Sequence, residues 1–122
     1  MASVRYIVDD VDAAIGFYTG QLGFETVMHP APAFAMLRRD DLRLLLSAPG
    51  GGAAMPDGRM PEPGGWNRFQ IEVSDLDAHV ESLRAAGATF RNDLTGLGGR
   101  QILLEDPAGN CVELFEPQRG DG

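Results

Sequence analysis

Polar and apolar positions along this chain fall into two kinds of pattern, arranged in the same order twice. Val4, Tyr6, Ile7 and Val8, broken only by Arg5, form a short apolar run that predicts a strand over 4–8. Val11, Ala14, Ile15, Tyr18 and Leu22 then recur at spacings of three and four, which predicts a helix. Asp10 stands before it as a side-chain cap, and Gly23 stands where a helix end favours a left-handed residue. Three short strands are predicted next, over 24–28, 33–38 and 42–47. The order then returns: a strand over 68–73, Asp75, and a helix with Leu76, Val80 and Leu83. Gly87 follows, then strands over 88–90, 100–105 and 111–116. "RDD" and "DPAGN" supply the turn chemistry between the last strands of each half.

The recurrence is a duplication. Val8, Asp10, Val11, Asp12, Ile15 and Tyr18 match Val73, Asp75, Leu76, Asp77, Val80 and Leu83 at a constant offset of 65. Residues 42–49 match 110–117 at an offset of 68. Two copies make a duplicated β-α-β-β-β module rather than a solenoid. A single domain is expected over 1–122, with module one at 1–48, a Gly- and Pro-rich connection at 49–65, and module two at 66–122. That connection reads either as a linker or as a mobile loop over a binding site.

Composition narrows the class. With 122 residues, 43% hydrophobic and 23% charged, the chain is long enough to bury a core and reads as globular. No apolar run reaches the roughly 20 residues of a membrane span, and no secretory signal is visible. A net charge of −8 argues against nucleic acid, whose phosphates require a basic footprint. Cys111 is the sole cysteine, so no internal disulfide can form, and a cytoplasmic location is expected.

Two segments, "FYTGQLGF" (17–24) and "DPAGNCVELFEP" (106–117), together with the duplicated module, resemble the vicinal oxygen chelate superfamily. This is the glyoxalase, bleomycin-resistance and extradiol-dioxygenase group, and the likeness covers nearly the whole chain. The resemblance implies an α+β fold in which two tandem β-α-β-β-β modules form a cup-shaped mixed sheet. It also implies four strand positions that carry a divalent metal in the enzymes, where His or Glu is usual. Counting through the repeat places these at Ser3, Leu45, Arg68 and Glu113. Only Glu113 is a suitable ligand. Leu45 offers no donor, Arg68 repels a cation, and neither Leu44, Leu46, Arg43 nor Ser47 rescues the site. His29 and His79 fall outside these positions. The expectation is a member with no metal and no cofactor.

On that register the cup is lined by Ser3, Arg5, Ile7, Arg43, Leu45, Ser47, Arg68, Gln70, Glu72, Cys111, Glu113 and Phe115. The opposite face is almost wholly apolar, which supports the register, because a slip of one residue would bury the arginines. Candidate ligand-binding residues are therefore Arg5, Arg43, Leu45, Arg68, Gln70, Glu113 and Phe115, with Trp66, Phe34 and Met36 as apolar walls. Met55 and Met60 in the connection are further candidates. Arg68 is expected to neutralise Glu113 as a bidentate ion pair in place of the metal, either filling the old metal position or meeting a ligand directly. No nucleophile–base pair is visible, since Cys111 has no matched histidine.

The leading functional expectation is a metal-free protein that binds a small molecule, an aromatic antibiotic, and confers resistance by sequestration, as a homodimer without nucleic-acid or membrane partners. The alternatives are a glyoxalase-like or dioxygenase-like lyase, isomerase or oxidoreductase, a metal-free enzyme using Arg68 and Glu113, or a sensor without chemistry.

Overall fold

A computed structural model describes residues 2–49, 61–93 and 99–118. In chain order the elements are β1 (Ala2–Ile7), α1 (Val11–Gln21), β2 (Glu25–Ala31), β3 (Phe34–Arg39), β4 (Leu42–Ser47), β5 (Arg68–Glu72), α2 (Leu76–Ala85), β6 (Thr89–Phe90), β7 (Gly99–Glu105) and β8 (Cys111–Pro117). The fold class is α+β, with each module forming a four-stranded mixed sheet. The strand orders are β1-β4-β3-β2 and β5-β8-β7-β6, with the first pair of each sheet parallel and the rest antiparallel.

The duplication extends to hydrogen-bond register. Arg5 stands opposite Leu45, and Gln70 stands opposite Glu113. These pairs are related by the same offsets, 65 and 68, that align the two sequences. The chain divides into two compact units, Met1–Gly65 with Pro107–Asn110, and Trp66–Asp106 with Cys111–Gly122.

In the first unit, Asp10 Oδ1 accepts from the backbone N–H of Ala13 at 3.0 Å and starts α1. Val11, Ala14 and Tyr18 of α1 are buried against the sheet with Leu37, Leu44 and Leu46. The Tyr18 carbonyl accepts from both Leu22 and Phe24, and Gly23 at φ +74° makes that reversal without a Cβ penalty. The Tyr18 and Phe24 rings then meet edge to face at 5.4 Å. β2 runs three residues beyond the predicted strand, to Ala31, through two register shifts. Pro30 can be tolerated there because β2 is an edge strand.

In the second unit, Asp75 caps α2 through Ala78 N–H at 3.1 Å. Glu116, at the end of β8, accepts from Leu76 N–H at 2.7 Å. Leu76, Val80 and Leu83 are buried with Ile71, Ile102, Leu104, Val112 and Leu114. The apolar strand face expected opposite the cup is thus the core face in both units, with Val4 and Leu42 only half-buried. Among the described residues, no helix is long and apolar enough to cross a membrane.

Candidate functional site

The polar face of β5-β8-β7 in the second unit is arranged in rungs. Arg68, Cys111 and Glu105 stand side by side across the three strands. The next rung is Gln70, Glu113 and Leu103, and the third is Glu72, Phe115 and Gln101. Arg91 continues the second rung, its backbone N–H donating to the Leu103 carbonyl at 2.8 Å.

Two long side chains reach diagonally between rungs. Arg68 donates from Nε to Glu113 Oε1 at 2.9 Å, and Arg91 donates from Nε to Glu105 Oε2 at 2.9 Å. Gln70 sits directly opposite Glu113 and donates from Nε2 to its Oε2 at 2.5 Å. The bidentate Arg68–Glu113 pair expected from sequence is therefore corrected to a single contact. The nearer Gln70 takes the second oxygen, because it shares the rung with Glu113 and Arg68 does not. Glu113 is 7% exposed, whereas Arg68 and Gln70 are exposed. A buried carboxylate is tolerable here because both oxygens accept hydrogen bonds.

Cys111 lies fully buried among these groups. Burial pushes its thiol above the ordinary range, and the charges of Arg91 and Arg68 offset this in part. Such a thiol is a poor nucleophile. Trp66 is 75% exposed and carries the Arg91 guanidinium over its ring, 4.9 Å from the centroid. Phe115 lies over Gly99, where an added Cβ would come within 2.8 Å of the ring.

The remaining candidates gather in the first unit. Arg5, Leu45 and Met36 form one rung, flanked by Ser3, Arg43 and Arg38 on one side and Ile7, Ser47 and Phe34 on the other. Arg5 is exposed, while Arg43, Leu45, Met36 and Phe34 are half-buried. Arg43 Nε and Ser47 Oγ are buried with no hydrogen-bond partner among the described residues. An open polar hollow of about 370 Å³ lies elsewhere in this unit, between Gly23, Glu25, Arg38, Arg39 and Asp40, and none of the predicted site residues among the described ones lines it. Met55 and Met60, with most of the connection, lie outside the described residues.

The donor set does not fit a divalent metal. Glu113 is engaged by a cationic and an amide donor, Leu45 offers no lone pair, and Ser3 stands beside Arg43. Among the described residues, no three His, Cys, Asp or Glu side chains gather as a metal ion would require.

Sequence reasoning missed Arg91 and Glu105. Counting back across the "DPAGN" turn places Glu105 opposite Cys111, which was the available signal; nothing in the local pattern marks Arg91. It also read that turn only as a connection. Asn110 is buried there, donating from Nδ2 to the Ile7 carbonyl at 2.8 Å and accepting from Gly64 N–H at 2.8 Å, which ties the turn to the first unit.

A search of curated proteins finds no match to this chain. Among solved structures, it is similar to a member of the glyoxalase/bleomycin resistance protein/dioxygenase superfamily from Sphaerobacter thermophilus. The two share 29% identity and a TM-score of 0.78 over 95% of each chain. The fold is also that of TnmS3, an antibiotic binding protein from Streptomyces (24% identity, TM-score 0.74, 95% of this chain and 93% of that one). A lactoylglutathione lyase from Agrobacterium tumefaciens shares it as well (24%, 0.75, 95% and 92%). The model of the Glyoxalase/Bleomycin resistance protein/Dioxygenase superfamily matches residues 1–114, and the chain belongs to that superfamily.

Proposed function

We propose that this protein binds a planar, partly aromatic small molecule without a metal, and that it acts by sequestration, with an antibiotic as the expected ligand class. The observation that carries this reading is the state of Glu113. Both of its oxygens are already held, by Arg68 and Gln70, in place of a cation. Its neighbour Cys111 is buried with a raised thiol pKa, which disfavours covalent catalysis. Trp66, exposed and backed by Arg91, offers a flat ring for stacking. The antibiotic-binding relative on the same fold supports a binding role, and the lyase on that fold keeps fold alone from deciding the matter.

The same reading includes a cytoplasmic homodimer. Each sheet ends in two edge strands whose backbone groups a partner can cover. Light scattering at micromolar concentration is expected to give twice the chain mass.

Trp66 is the only tryptophan, so its emission reports binding without ambiguity. Titration with polycyclic antibiotics and aromatic acids, followed by fluorescence and calorimetry, should give saturable quenching that Trp66→Ala weakens. Elemental analysis should show no stoichiometric Zn, Ni, Mn or Fe. A tightly bound metal lost in Glu113→Ala, or turnover of a bound ligand, would overturn the proposal.

A further inference from the structure

The hydrogen bonds around Glu113 specify more than a neutralised charge. A carboxylate only accepts, so the amide group that faces it must be the Nε2 side of Gln70. The amide is thereby locked one way round, and its Oε1 becomes an acceptor directed away from Glu113. Arg68 has five N–H donors in a planar fork, of which Nε serves Glu113. Its Nη1 and Nη2 groups have no partner among the described residues, and the same holds for Gln70 Oε1. Arg68 and Gln70 are both exposed, two residues apart on one face of β5, hence roughly 6.6 Å apart along the strand.

We infer that Arg68 and Gln70 form a two-point recognition site, oriented from below by Glu113, for an aromatic acid that also carries a hydrogen-bond donor about one ring's width from its carboxylate. The Nη fork takes the oxyanion, and Gln70 Oε1 takes the hydroxyl or N–H. Glu113 never touches the ligand and is a positioning residue. This inference rests on the binding reading above and adds to it the ligand's polar pattern. An aromatic cation, or an acid whose second substituent only accepts, meets the wrong partner at one of the two points and leaves a polar group unpaired.

The test uses the intact protein and four matched probes: a naphthoate, its meta-hydroxy and meta-methoxy derivatives, and the methyl ester of the hydroxy acid. Calorimetry gives affinities, and Trp66 emission is read in parallel. The hydroxy acid is expected to bind about tenfold more tightly than the methoxy acid, and also than the ester, as loss of one charge-assisted or buried hydrogen bond implies. Arg68→Met should abolish the preference for acid over ester. Gln70→Leu should abolish the preference for hydroxy over methoxy and leave the other intact. Glu113→Gln can both donate and accept, so it should release the Gln70 amide and erode the hydroxy preference. A merely structural role for Glu113 would weaken all four probes alike. Four equal affinities in the wild-type protein would overturn the inference while leaving the binding reading in place. Failure of all four probes and of the antibiotic panel to bind would overturn both.

Discussion

Arg91 holds its guanidinium 4.9 Å from the centre of the Trp66 ring while its Nε is fixed by Glu105 at 2.9 Å. The ion pair thus orients the cation, and the cation supports an otherwise exposed ring. Arg91→Met keeps much of the stem and removes the charge. It is expected to shift Trp66 emission and to weaken stacking ligands by roughly two- to fivefold, the range of an exposed cation–π contact. Steady-state fluorescence and the same ligand titration check this. Unchanged emission would show that the ring does not depend on Arg91 in solution.

Removing Arg68 leaves Glu113 buried with one oxygen uncovered, whereas removing both charges leaves no such penalty. Arg68→Met is expected to destabilise by about 1–3 kcal/mol, less than a fully buried pair because Arg68 is partly solvated. The double variant Arg68→Met with Glu113→Leu should recover most of that loss. Urea unfolding of the double-mutant cycle measures the coupling, and strictly additive effects would contradict the pairing.

Cys111 predicts an alkaline effect. Burial raises its folded-state pKa above the unfolded value of about 8.5. Its stabilising contribution is therefore complete below that unfolded value and is lost as pH rises through the raised folded value. Stability should fall across this window in the wild-type protein and less steeply in Cys111→Ala. Native protein should also resist a thiol reagent at neutral pH and expose one reactive thiol in urea. Rapid labelling of the folded chain would refute the burial.

Asp40, in the two-residue turn between β3 and β4, is the one described non-glycine residue with positive φ, at +52°. Asp tolerates this conformation and a β-branched residue does not. Asp40→Val is expected to cost roughly 1–2 kcal/mol. Asp40→Asn retains the tolerance and loses only the exposed 3.4 Å contact to Arg39, worth about 0–1 kcal/mol. Thermal unfolding of the two variants should rank them in that order.

Periodicity, capping residues and the internal repeat were enough to read the two modules from sequence, because each acts over a few residues and each copy supports the other. Once the resemblance to the superfamily set the register, alternation gave the faces of β5: Phe69, Ile71 and Val73 are buried while Arg68, Gln70 and Glu72 are exposed. The superfamily's metal positions, carried over to this sequence, brought Arg68 and Glu113 together with Gln70 on the same face, and the register of β5 with β8 agrees. Tertiary structure alone decided how those groups divide their hydrogen bonds. Whether Arg68 grips Glu113 with one nitrogen or two depends on which rung Gln70 occupies and where its amide reaches. Arg91 could not be placed on Trp66, because the two are 25 residues apart in sequence and flank β6 and β5, which lie at opposite edges of the second sheet. Asn110 is the same case: its turn is written in the sequence, but its bonds to Ile7 and Gly64 join segments that no local pattern connects. Hydrophobic burial specifies faces and so can be read from spacing; directional polar contacts specify partners and need coordinates.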